Sequence, residues 1–181
     1  MSLSERKATR AMPFLLLVLL LAASCTVRPL YSNSASLGAA SGMSAELASI
    51  AIKPVSTRYA QEVRNHLIFM FGNGRGEPTN PVYTLTLIVT EINEATAIIQ
   101  VNDEDQPTAG AIVMTGGYTL QRGGKTVASG SREISSSYDA PRQEFANLRA
   151  QRDAENRAAR ELAELLRLAI AQDLERAGGG G

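Results

Sequence analysis

A chain of 181 residues with 18 Lys and Arg against 18 Asp and Glu has no bulk charge with which to hold nucleic acid or to cling to an anionic membrane. One Cys excludes an internal disulfide, and one Cys with one His argues against a zinc site built from those ligands. The length suits one domain with a real core, plus extra segments.

The amino terminus reads as a sorting signal. Arg6, Lys7 and Arg10 form a basic head. Met12 to Ala23 follows as an apolar run of about a dozen residues, short of the roughly 20 that a membrane-spanning helix needs. Small residues and a thiol end it. The stretch Leu21-Ala22-Ala23-Ser24-Cys25 resembles a bacterial lipobox, with Ala22 where Leu is usual. The resemblance implies cleavage before Cys25. Residues 1–24 are then a signal peptide of the lipoprotein type, and Cys25 carries the lipid that anchors the chain. Thr26, not Asp, follows the cysteine. In the sorting pattern it resembles, that implies the outer membrane. Arg6, Lys7 and Arg10 leave with only Glu5, so the remaining chain holds 15 basic and 17 acidic side chains.

Residues 25–45 read as the lipidated Cys25 and a flexible tether, because Ser32 to Ser44 is small and polar. A domain is expected over residues 46–177. Leu47 to Val55 is a predicted strand that Pro54 ends or marks as an edge. Ser56 or Thr57 can cap a helix over Tyr59 to Phe71, with Tyr59, Val63, Leu67 and Met70 or Phe71 on one face. Gly72-Asn73-Gly74 stops it, and Arg75 to Pro81 is a loop. Val82 to Ile92 alternates, with Leu85, Leu87 and Val89 on one face and Thr84, Thr86 and Thr90 on the other. Val101 to Pro107 is acidic and turn-like. Ala111 to Gln121 is a second strand, with Ile112, Met114, Gly116, Tyr118 and Leu120 on a shared face. Arg122-Gly123-Gly124-Lys125 is a hairpin tip, and the Ser-rich Val127 to Tyr138 returns with one side exposed.

From Glu144 to Ala177 the pattern is helical. Phe145, Leu148, Ala158, Leu162, Leu165 and Ala169, joined by Leu166 and Ile170, make the apolar stripe. Arg157 with Glu161, Arg160 with Glu164, and Asp153 with Arg157 stand four apart on the wet side. Arg149 to Arg160 offers only alanines to a core, which leaves it to extend past the sheet or to meet a partner. Residues 178–181 are a glycine tail. The order β-α-β-β-β-α predicts an α+β two-layer sandwich: a four-stranded, mostly antiparallel sheet covered by two helices.

Catalytic signals are weak. His66 sits in a helical pattern without an evident acid–base partner. Ser129, Ser131 and Ser135 to Ser137 lack a nucleophile elbow and read as a hydrated strand face. Asp103, Glu104 and Asp105 lack the spacing of a calcium loop. Gly72 to Gly76 lacks the Lys-Ser/Thr of a phosphate loop. Arg122 and Lys125 flank a hairpin tip, and Arg75 lies in another loop. Together they read either as charged turns kept for solubility or as a rim suited to a phosphorylated glycolipid.

In this layout several stretches resemble the LptE family of lipopolysaccharide-assembly lipoproteins. Cys25-Thr26-Val27-Arg28-Pro29-Leu30-Tyr31 resembles its start, with Val27 where a bulkier residue is common. Tyr59 to Leu67, carrying Arg64, Asn65 and Leu67, resembles its first helix. Val82 to Leu87, Tyr118 to Leu120 and Tyr138 resemble its strands, and Asp153 to Ala158 leading to Leu162 its closing helix. The resemblance implies a protein that is no enzyme and uses no cofactor or metal. It implies partners: an LptD-like outer-membrane β-barrel, plugged from within its lumen, and lipopolysaccharide, which the pair inserts into the outer leaflet. Contact with the membrane runs through the lipid anchor on the periplasmic side, and no nucleic acid is involved. The competing expectation is a lipid-transfer accessory lipoprotein of an ABC transport system, which would hold a lipid in an apolar groove.

Overall fold

Alternation and helical periodicity place most elements, and the computed structural model, which describes residues 38–101 and 104–178, shows how they assemble. The expected signal peptide, Cys25, the start of the expected tether, Asn102, Asp103 and the last three glycines lie outside the described residues. Seven elements follow in order: α1 (Gly38–Leu47), β1 (Ile50–Ile52), α2 (Arg58–Gly72), β2 (Tyr83–Val101), β3 (Glu104–Arg122), β4 (Lys125–Asp139) and α3 (Glu144–Gly178). The sheet order is β1-β2-β3-β4, with β1 parallel to β2 and the other pairs antiparallel. This is the α+β two-layer sandwich that the pattern predicts.

Three boundaries differ from the sequence reading. From Gly38 the expected tether is helical, because α1 packs against α2 and α3 and brings Leu47 into the core. The first strand shrinks to Ile50–Ile52. Pro54 has no N–H to continue the ladder, and an ion pair seals the strand end. Arg64 donates to the Ile52 carbonyl through Nε at 3.1 Å and Nη2 at 3.0 Å, and to Glu77 at 2.7 Å. Glu77 in turn accepts the Ile52 N–H at 3.0 Å. Of the acidic run expected as a turn, Val101 and Glu104 to Pro107 are strand instead, with Val101 paired to Glu104 and Ile98 to Pro107.

The α2 helix ends at Asn73, whose φ of 49° is left-handed and whose N–H returns to Phe69. Gly123 and Gly124, at φ 56° and 80°, turn β3 into β4 as the Gly-Gly pair requires.

The sheet has two unlike faces. Leu85 and Leu87 of β2 stand with Leu120 and Tyr118 of β3 on one of them, and Ile112 and Met114 continue it. Val63, Leu67 and Phe71 of α2 and Leu162, Leu166 and Ile170 of α3 join these residues in one buried cluster. A Cβ added to Gly116 on this face would meet the Leu166 and Leu162 side chains at 3.0 and 3.1 Å, so the glycine lets α3 close down on β3. Among the described residues, the other face carries no helix. Its rows read across β2, β3 and β4 as Thr86-Thr119-Ser129, Ile88-Gly117-Ser131, Thr90-Thr115-Glu133 and Ile92-Val113-Ser135.

The α3 stripe is shifted from its expected course. Phe145 is 89% exposed and Leu148 55% exposed, so the first turns of α3 run clear of the core. Leu165 is only half-buried. Ala158 is fully buried as expected, and Ala154 and Ala159 join it. Small side chains let this charge-rich segment pack against its neighbours rather than pass beyond the sheet. Of the three expected i,i+4 pairs, Asp153 with Arg157 forms, while neither Arg157 with Glu161 nor Arg160 with Glu164 does among the described residues. Arg157 donates to the Ser137 carbonyl at 2.9 Å, which turns it toward β4 and away from Glu161.

Candidate functional site

Topology gathers the basic residues at one end of the sheet. There β1 and β2 begin, β3 ends, β4 begins, and α2 terminates after its crossover. Arg122 and Lys125 face each other across the hairpin tip, and both are exposed. The Arg122 guanidinium carbon lies 5.6 Å from the centre of the Tyr83 ring, a cation–π contact worth about 0.5–1 kcal/mol at such a site. Arg75 follows α2 at the same end, but its guanidinium is engaged: Nε donates to the Gly72 carbonyl at 3.1 Å. There it also offsets the negative end of the helix. Arg75 therefore shares this end of the domain but spends its guanidinium on the helix terminus. None of these three cations is in an ion pair among the described residues.

The same end holds a residue that spacing did not single out. Asp173 of α3 accepts from the Tyr118 hydroxyl at 2.5 Å and from Arg176 at 2.6 Å. Burial, then this carboxylate, pushes the Tyr118 hydroxyl up to about 12. The Tyr118 ring also lies over Gly130 of β4, where an added Cβ would sit 2.8 Å from the hydroxyl oxygen.

A second polar cluster ties α2, α3 and β2 together. Arg58 at the start of α2 donates to Glu155 at 2.5 Å and to Asn156 at 3.1 Å. Arg152 stands 3.6 Å from the same Glu155, which is buried. Glu91 of β2 faces this group. Desolvation, then the charge of Glu155, holds its carboxyl above the usual carboxylate range, while Arg58 and Arg152 pull it down. The Asp153 to Ala158 stretch thus splits by role: its alanines fill the core while Glu155, Asn156 and Arg157 lock α3 to α2 and β4.

The remaining candidates separate. His66 is half-buried on α2. Ser129, Ser131 and Ser135 are exposed on the bare sheet face, whereas Ser136 points inward and is buried. Glu104 and Asp105 belong to β3, and Asp103 lies outside the described residues. Among the described residues no group of three His, Cys, Asp or Glu is arranged to hold a metal. No described helix is long and apolar enough to cross a membrane. A cleft of about 470 Å³ opens between Pro54–Thr57, Ala60 and Leu87–Val89, and its lining mixes polar and apolar groups.

Comparison with known proteins decides the family. The model of LptE, described as lipopolysaccharide-assembly, matches residues 47–170, more than half of the chain. The chain belongs to the LptE family. The match runs from the last residue of α1 to Ile170 of α3, so it spans the sheet, the Arg58–Glu155 cluster and the basic hairpin tip, and ends before Asp173. LptE membership assigns an assembly component and not an enzyme, and it is consistent with an outer-membrane lipoprotein. No curated protein matches the chain by sequence. Two solved structures share its fold. One is a protein of Caulobacter crescentus CB15 described as a candidate lipoprotein, 23% identical, with a TM-score of 0.59 over 73% of this chain and 95% of its own. The other is the rare lipoprotein B of Shewanella oneidensis, 13% identical, with a TM-score of 0.52 over 70% and 95%.

Proposed function

We propose that this chain is a lipid-anchored outer-membrane protein that plugs an LptD-like β-barrel from the periplasmic side, assists its assembly, and so serves insertion of lipopolysaccharide into the outer leaflet. The family match over residues 47–170 carries the proposal. The packing supports it. The space between sheet and helices is taken up by buried side chains such as Leu85, Ile112, Met114, Leu120 and Leu162. A lipid carrier needs an apolar groove, and the cleft beside Leu87–Val89 is open and of mixed polarity. That weighs against the lipid-transfer alternative. Cys25 serves as the lipidated anchor in this reading. Arg122 and Lys125, with Arg75 nearby, supply cations for the phosphates of the glycolipid.

The decisive experiment is purification of the native chain from detergent-solubilised outer membrane. Recovery with a large barrel is expected, and recovery alone would overturn the proposal. In the same material Cys25→Ser removes incorporation of labelled fatty acid. Charge reversal at Arg122 and Lys125 weakens lipopolysaccharide binding, and unchanged binding would dismiss the basic rim.

A further inference from the structure

The sheet has two outer edges, and they are finished differently. On β4 outward carbonyls are occupied: Ser137 accepts from Arg157 at 2.9 Å and Ser131 from Arg132 at 2.7 Å. Lys125, Arg132 and Glu133 also put charge along that strand, which is one way natural sheets guard an edge. On β2 the edge is open. The β1 strand covers only Tyr83, Thr84 and Leu85, and the last bond of this ladder runs from the Lys53 N–H to the Leu85 carbonyl at 2.9 Å. Pro54 has no N–H to carry the ladder on, while β2 continues to Val101. Leu85 aims its carbonyl at β1, so alternation aims the N–H and C=O of Leu87, Val89 and Glu91 to the same side, and those of Ile88, Thr90 and Ile92 toward β3. On that outer side Leu87, Val89 and Glu91 have no backbone partner among the described residues. Thr86 to Ile92 (TLIVTEI) holds no Lys, Arg or Pro to discourage pairing. The cleft of about 470 Å³ between Pro54–Thr57, Ala60 and Leu87–Val89 lies along this edge, just past the point where β1 stops.

We infer that the open edge of β2, from Leu87 to Glu91, is a docking site for an extended segment of a partner protein, which joins the four-stranded sheet as a further strand in the line of β1. The chemistry selects the occupant. Unpaired N–H and C=O groups recur along the edge at every second residue, roughly 6.5–7 Å apart, and another extended backbone offers their complement at the same repeat. A lipid tail has nothing to give them. Side chains of the incoming strand fall alternately on the two sides of the sheet. Those on the helix side enter the cleft beside Leu87 and Val89, whose mixed polarity suits residues such as valine and threonine. Charge narrows the choice further. Glu91 and Glu94 mark the far end of the edge, and neither is in an ion pair among the described residues. A basic residue of the segment belongs there. The same carboxylates disfavour a second copy of this chain, whose own β2 would bring acidic residues to an acidic strand. The inference stands whether or not the partner is the barrel.

Amide hydrogen exchange in the full-length chain, held in detergent micelles, tests this. The probe is a synthetic peptide of about seven residues, valine and threonine in alternation with one arginine near an end, long enough to span the open edge. Its control has the same side chains but methyl groups on the backbone nitrogens of one edge. In the chain alone, the Leu87, Val89 and Glu91 amides should exchange about tenfold or more faster than those of Ile88, Thr90 and Ile92, because only the latter are bonded to β3. Saturating peptide should abolish that difference, and the methylated control should leave it. Glutamate in place of the peptide's arginine should weaken binding about threefold. Outward amides as slow as inward ones in the chain alone, no slowing by the peptide, or equal slowing by both peptides overturns the inference. Slowing that grows with chain concentration and needs no peptide gives the edge to a second copy and also overturns it. In the chain purified with its native partners the same three amides should be protected without added peptide, and fast exchange there counts against the inference.

Discussion

The two faces of the sheet obey the same alternation and serve opposite ends. On β3, Ile112, Met114, Tyr118 and Leu120 point to the helices and are buried, while Val113, Thr115 and Thr119, one residue out of step, point away. A slip of one residue in the register would exchange the two sets. The helix-covered face holds the apolar burial that stabilises the fold. The bare face contributes little to it and is free to answer to a partner.

That contrast can be broken most forcefully from the buried side. Leu162→Ala opens a cavity over Gly116 and should destabilise the domain by about 2–5 kcal/mol in denaturant titrations. Thr115→Ala on the bare face should stay within about 0.5 kcal/mol. Similar losses at both sites would mean that the faces are not energetically distinct. A smaller effect is expected at the polar cluster. Arg58→Ala leaves the buried Glu155 with the more distant Arg152 and a long hydrogen bond from Gln151, at a cost of about 1–3 kcal/mol in the same titrations. The smallest effect depends on pH. Glu91 has its carboxyl raised, chiefly by burial, so its protonated form favours the fold. The stability it contributes is full below the ordinary carboxylate range and is lost as pH rises through its raised value. Glu91→Gln should therefore be more stable than the parent near pH 7, with the gain vanishing at about pH 4. A gain of equal size at both pH values would rule out the titration of Glu91 as its cause.

The sequence pattern made the covered face legible and the rest only partly so. Alternation in Val82 to Ile92 and Ala111 to Gln121 placed Leu85, Leu87, Val89, Ile112, Met114, Gly116, Tyr118 and Leu120 inward correctly, because one buried face imposes a strict period of two, and left out only the buried Tyr83 at the strand start. The pattern lapses at Ala95 to Val101, yet β2 continues there through pairing with β3, a long-range effect that no local window contains. Phe145 and Leu148 looked like core by size, and Ala154 and Ala159 did not. Close packing of α3 reversed the usual equation of bulk with burial. At the basic end, Arg122 and Lys125 were legible as a hairpin pair, whereas the tie between Asp173 and Tyr118 needed the fold. Arg64 stood inside a recognisable motif, but its role at the end of β1 depends on Glu77, 13 residues away in a loop.

That clamp has a kinetic consequence. The strands β2, β3 and β4 join through local turns, while β1 must close a crossover through α2 before it can pair with Tyr83–Leu85. Long closures carry a larger entropic cost and tend to form late. Arg64 and Glu77 then act as a latch fastened after the rate-limiting step, so weakening them should quicken unfolding while leaving the refolding rate nearly unchanged.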